Sequence, residues 1–83
     1  MKKQKLLKKI LASQQNVRFG EMVILIEAFG FQLNRVSGSH YIFVHPSLNE
    51  LVNLQDVNGQ AKPYQIKRFL RLIEKHNLSL QEN

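Results

Sequence analysis

The stretch Arg35-Val36-Ser37-Gly38-Ser39-His40-Tyr41-Ile42-Phe43-Val44-His45-Pro46 constrains the chain more than any other. Extended-chain formers flank a Ser-Gly-Ser turn in which Gly38 is free to take a positive φ, which predicts a hairpin with strands at about 31–36 and 40–45. Pro46 stops the second strand. A third strand is expected at about 51–55, because Val52 and Leu54 alternate with Asn53 and Gln55 as Phe31 and Leu33 alternate with Gln32 and Asn34. The result is an antiparallel meander with one apolar face, and that face needs a cover.

Two helices are placed to supply it. Residues 18–29 carry Phe19, Met22, Val23, Ile26 and Phe29 three and four apart, with Gly30 as a left-handed cap and Asn16 placed to help start the helix. Pro63 suits the first position of a last helix running to about His76, on which Ile66, Phe69, Leu70 and Ile73 form the apolar stripe. Residues 56–62 between the third strand and this helix read as a loop. Ahead of everything, residues 2–12 read as a basic amphipathic helix with Leu6, Leu7, Ile10 and Leu11 on one side. Packing on its own domain is the expected use of that stripe, with Ile24, opposite the core face of the second helix, as its candidate seat. The division is therefore a leader, 1–16, and a main domain, 17–83. The fold class is α+β, α-β-β-β-α, with a three-stranded antiparallel sheet, both main helices on one face and an extra N-terminal helix. Double-stranded RNA-binding modules share this arrangement.

At 83 residues there is room for one modest core and none for a separate cofactor domain. No cysteine is present, which removes disulfides and thiolate metal sites and fits a reducing, cytoplasmic setting. The longest apolar run, Met22 to Ile26, is too short for a membrane span, and Lys8 and Lys9 interrupt any signal-peptide core. The formal charge of +6 lies in the first 18 residues, which hold Lys2, Lys3, Lys5, Lys8, Lys9 and Arg18 and no acid; residues 19–83 balance. Such a leader speeds encounter with polyanions without defining the activity.

The catalytic inventory is short. Glycine-rich phosphate loops, a Gly-x-Ser-x-Gly elbow and a His-Glu-x-x-His helix are absent from the sequence. His40 and His45 stand five apart on one strand, so they point to opposite faces and cannot share a metal; His76, at the end of the last helix, suits a structural role. No metal or other cofactor is expected. His40 remains, presented at a strand start beside Arg35 and the hydroxyls of Ser37 and Ser39. That set suffices to cleave RNA, which carries its own nucleophile: a histidine need only take the 2′-hydroxyl proton or protonate the leaving 5′-oxygen. The plainer alternative is a surface histidine beside a turn. On the last helix, Tyr64, Lys67, Arg68, Arg71 and Lys75 share the face opposite the core. With Lys62 at the positive end of the helix dipole, this face reads as either a solvated surface or a phosphate-contacting one.

Phe29-Gly30-Phe31, a strand, Arg35, then Gly38-Ser39-His40 with Tyr41-Ile42-Phe43-Val44-His45-Pro46, and a helix after a short third strand, resembles the HicA family of mRNA interferase toxins. The similarity spans about residues 17–78, and Leu51-Val52-Asn53-Leu54-Gln55 with Gly59-Gln60-Ala61-Lys62-Pro63-Tyr64-Gln65-Ile66 looks like the form of a longer-leader branch. The resemblance implies an endoribonuclease toxin that cleaves mRNA without a dedicated metal and is neutralised by a HicB-type antitoxin. It puts the catalytic role on His40, with Gly38 and Ser39 shaping the turn. Arg35 matches a basic position before that turn, and phosphate contact is inferred for it from charge and proximity; Lys62, Lys67, Arg68 and Arg71 are the further RNA-binding candidates. Two departures stand out. Many members carry a second histidine after the third strand, in a Val-Pro-x-His segment, and Leu54-Gln55-Asp56-Val57 has none; the leader helix also lies outside the minimal family domain. The alternatives are a non-catalytic RNA-binding module of the same fold, and a protein-interaction domain using Ile24 and the leader stripe.

Overall fold

Gly38 takes φ +60°, and with Ser39 it reverses the chain in two residues, so that Ser37 pairs directly with His40. The computed structural model describes residues 2–81. In order, the elements are α1 (Lys2–Ala12), α2 (Phe19–Ala28), β1 (Gln32–Ser37), β2 (His40–His45), β3 (Leu48–Val57), β4 (Gln60–Ala61) and α3 (Pro63–Lys75). The sheet runs β1-β2-β3-β4 with every neighbouring pair antiparallel.

Pairing of Tyr41 with Leu54 and of Phe43 with Val52 sets these four side chains on one face, where α2 and α3 cover them. The core joins Phe43, Val52 and Leu54 to Met22, Leu25, Ile26 and Phe29 of the α2 region and to Ile66 and Phe69 of α3. Phe31, just ahead of β1, completes it, its ring 5.7 Å from that of Phe69. Each such apolar side chain stabilises the fold by about 1.5–3 kcal/mol. The helix ends follow from local chemistry. Gly30 (φ +94°) turns the chain out of α2, and a Cβ there would also press on His45 at 3.0 Å. Asn77 (φ +52°) ends α3, and the next N–H, from Leu78, bonds back to the Ile73 carbonyl at 2.9 Å.

Four details differ from the sequence expectation. Residues 56–62 are no simple loop: Asn58 (φ 53°) and Gly59 (φ 82°) make a tight turn that folds β4 back on β3, pairing Asp56 with Ala61 and Val57 with Gln60. Asn-Gly is the strongest short hairpin signal a sequence carries, and among the described residues the sheet has four strands rather than three. Val17–Phe19 then flank β4, through bonds from the Ala61 N–H to the Val17 carbonyl and from the Phe19 N–H to the Gly59 carbonyl. β3 begins at Leu48, because His45 pairs with Leu48 and the connection shrinks to Pro46-Ser47. β1 is exposed throughout, and a bulge between Leu33 and Arg35 resets its alternation; Leu33, expected on the apolar face of a half-buried strand, is 47% exposed. Finally, Asn16 (φ 58°) shapes the turn before α2, but the N-cap position is Arg18.

The leader packs on its own chain, as its stripe implies, yet not on Ile24, which stays 51% exposed. Ile10 is fully buried in the common core, with Leu6 and Leu7 packed against it. Leu7 and Leu11 border a shallow groove with Phe29, Leu70, Ile73, Leu78 and Leu80, which places α1 over the α2–α3 seam and the C-terminal tail. α2 is thus covered by both the sheet and α1, which is why Leu25, outside its expected core face, is buried too. Lys9 reaches Glu21 at 2.8 Å, and the Arg18 N–H donates to the other oxygen of that carboxylate at 3.2 Å.

Ile10→Ala is expected to cost about 2–5 kcal/mol of unfolding free energy, and Leu11→Ala, on the same helix but 56% exposed, no more than about 0.5 kcal/mol. Urea titration of the two variants separates a packed leader from a loose one, for which both would be neutral.

A second expectation concerns acid. The hydrogen bond from Lys9, helped by the Arg18 N–H, holds Glu21 below its ordinary value of 4.5, and hydrogen bonds from His76 and then Lys75 do the same for Glu50. Both carboxyls therefore bind protons more weakly folded than unfolded. Their contribution is complete above that ordinary value and is lost as the pH falls through the lowered folded values. Glu21→Gln/Glu50→Gln should flatten the acid limb of the stability profile while keeping its shape above about pH 6. Urea midpoints across that range measure it; an unchanged acid limb would contradict it.

Candidate functional site

His40 opens β2, held between Ser37 on β1 and Gln55 on β3. The alternation that sends Tyr41 and Phe43 into the core sends His40 and Ile42 to the opposite, open face, with their cross-strand partners Arg35, Ser37, Asn53 and Gln55. The imidazole is half-buried there, and its Nδ1 lies 3.1 Å from Asn53 Oδ1. Gln55 Nε2 donates to Ser39 Oγ at 3.4 Å and the Asp56 N–H donates to the Ser39 carbonyl at 2.9 Å, so the turn is tied to β3. A Cβ on Gly38 would meet nothing within 4 Å. Glycine is favoured by its positive φ alone, and the turn is open to a ligand's approach.

The basic helix face reaches this site across β3. Gln65, the one buried polar residue among those described, accepts the Gln55 N–H through Oε1 at 2.7 Å and so fastens the first turn of α3 to the strand beside His40. Three residues on, Arg68 borders a groove with Leu51, Asn53 and Tyr64. Asn53 touches both this groove and His40, which links Arg68 to the site. Lys62 lies over the Tyr64 ring, 5.8 Å from its centroid. Lys67 and Arg71 are exposed on the outer face of α3, and Arg35 is exposed on β1. Lys75, at the far end of the same helix, is engaged by Glu50 at 3.4 Å.

The other histidines sit elsewhere. His45 packs its ring 5.0 Å from that of Phe31 and accepts the Ser47 N–H on Nδ1 at 3.0 Å, an arrangement that braces the β2–β3 turn. His76 Nε2 meets Glu50 at 2.6 Å and pins the end of α3 to β3. Among the described residues no three His, Cys, Asp or Glu side chains converge in a way that could hold a metal ion.

Asn53, Gln55 and Gln65 escaped the sequence reading. Asn53 and Gln55 were legible as outward-facing residues of the third strand, but only the register reveals that they stand opposite His40. Gln65 looked like one more polar helix residue; its position one before the apolar Ile66, on the side facing a strand edge, carried no warning. Chemically, the site offers one imidazole with a fixed partner on one nitrogen, a guanidinium on the same sheet face and a basic helix across the neighbouring strand.

A family model described as HicA toxin of bacterial toxin-antitoxin matches residues 19–74, more than half of the chain. Comparison with curated proteins and with solved structures found no match. Among the described residues no helix is long and apolar enough to cross a membrane.

Gln65→Leu keeps the helix but leaves the partly buried Gln55 N–H without an acceptor, and is expected to cost about 1–3 kcal/mol. Amide hydrogen exchange locates the effect: the Gln55 amide should lose protection ahead of its β2-paired neighbours.

Proposed function

This chain belongs to the HicA toxin family, toxins whose partner is an antitoxin, and from that premise we propose that it is an endoribonuclease that cleaves mRNA in the cytoplasm, using His40 as its general acid or base. The observation that carries the reading is the imidazole of His40, half-exposed on the open face of the sheet beside an unobstructed turn. RNA supplies the nucleophile. As a base, neutral His40 takes the 2′-hydroxyl proton; the 2′-oxygen bonds to phosphorus, the bond from phosphorus to the 5′-oxygen breaks, and that oxygen takes a proton from water. No metal is required for these steps. Arg35 and the backbone N–H groups of the Gly38-Ser39 turn are the groups proposed to stabilise the charge that develops on the phosphate. Lys62, Lys67, Arg68 and Arg71 hold neighbouring phosphates, with Arg68 beside the site and the others along the helix.

The nuclease unit in this reading is residues 17–83, braced by the leader at 1–16. A HicB-type antitoxin neutralises it by covering the open face that RNA would use.

His40→Ala should reduce cleavage of a defined RNA by about 10²–10⁴-fold and relieve growth arrest, while leaving the urea midpoint almost unchanged, because a half-exposed strand-end side chain contributes little core burial. EDTA should not slow the wild type. Equal cleavage by a folded His40→Ala would refute the assignment. RNA retention with steep salt dependence and no cutting would make the protein a binding module instead.

A further inference from the structure

We infer that Asn53 is the positioning residue of His40: its side-chain oxygen holds the hydrogen on Nδ1 and so leaves Nε2 as the nitrogen that exchanges a proton with substrate. The inference rests on the nuclease reading above and assigns a residue that neither the sequence reading nor the family match singles out.

The geometry is local and specific. Asn53 Oδ1 lies 3.1 Å from His40 Nδ1, a distance at which one atom donates and the other accepts. An amide oxygen has no hydrogen to give, so the hydrogen belongs to Nδ1. Neutral imidazole carries one N–H, and fixing it on Nδ1 puts the lone pair on Nε2. Among the described residues Nε2 has no hydrogen-bond partner. Acting as a base, His40 accepts a proton at Nε2; acting as an acid, it releases one from the same atom. In both cases Nδ1–H stays on Asn53.

The backbone makes the contact durable. Asn53 pairs with Ile42 and His40 with Gln55, so the two side chains are diagonal neighbours on one face of a paired β2–β3 ladder. Neither reaches the other through a loop. Facing His40 from β3 are the amides Asn53 and Gln55, which do not titrate, and from β1 Ser37, with Arg35 two residues further along the same face. No carboxylate stands on these strand positions to orient the ring, and the amide is the group that does so. The chain thereby supplies with a neutral residue what an acidic partner supplies in a catalytic triad.

Two measurements test this on the full-length chain. The first is ¹⁵N NMR of the histidine rings above their titration, with the His40 signals assigned by their absence in His40→Gln. Wild type should carry its hydrogen on Nδ1, and Asn53→Ala should move the population toward Nε2–H. A wild-type ring protonated at Nε2, or a tautomer unchanged in Asn53→Ala, would overturn the inference. This result stands whether or not RNA is cut, so absence of cleavage by wild type would sink the nuclease reading without deciding this one. The second is the pH–rate profile on a defined RNA. Asn53→Ala should lose about tenfold in rate, short of the about 10²–10⁴-fold expected for loss of proton transfer itself. Asn53→Asp keeps the acceptor and adds a negative charge that favours the protonated ring, so it should restore the Nδ1–H tautomer and shift the profile to higher pH. A variant that loses rate only through damage to the fold would move neither tautomer nor profile, and that outcome refutes a positioning role.

Discussion

Slipping β2 against β3 by one residue would turn Tyr41 and Phe43 out to water and carry His40 toward the helices. Register between these two strands therefore decides core and site together. Phe43 opposite Val52 and Tyr41 opposite Leu54 make the wrong pairing costly, and the same pairing sets His40 opposite Gln55 and diagonal to Asn53. The apolar face thus acts at a distance on the polar one: core packing fixes where the imidazole finds its partner. Gln65 extends the arrangement to α3, because its bond to the Gln55 N–H fastens the helix to the strand that carries Asn53. A small domain has few side chains to spare, and here one strand pair serves both ends.

The leader adds a layer to this frame. Its buried Ile10 gives α2 a second apolar neighbour, so α2 lies between sheet and leader and buries a broader arc than a surface helix would. Lys5, Lys8 and Lys9 remain exposed, and Lys9 holds Glu21. Most of the formal charge of the chain thus decorates an element that is part of the packed structure.

Periodicity made much of this legible. The Ser-Gly-Ser turn, β2 at 40–45, the apolar stripe of α3 and the positive φ at Gly30 and Gly38 follow from local chemistry, and the structure agrees with each. Gaps arose where tertiary context decides. Leu33 has the alternation of a buried strand residue, but β1 is an edge strand with a bulge and little lies over it. Ile24 looked like a seat for the leader only because the seam formed by Phe29, Leu70 and the tail residues Leu78 and Leu80 cannot be seen before the helices are docked. β4 is a different kind of miss, since Asn58-Gly59 announced it and its two-residue length concealed it. For the site, His40 was legible as a residue type at a strand start, whereas Asn53 needed the register, which no single segment contains.

The bulge between Leu33 and Arg35 has a bearing on the life of the molecule in a crowded cell. A flat outer strand offers its unpaired backbone to any other extended chain, including a second copy of itself. On the β3 side that hazard is reduced by β4 and by the Gln65 side chain. On the β1 side, where Leu33 and Val36 are about half-exposed, the local kink and the charge of Arg35 break the straight row of hydrogen-bonding groups that a growing aggregate would need. An irregularity that spoils the alternation of one strand also keeps a small, basic, partly apolar surface from templating its own precipitation.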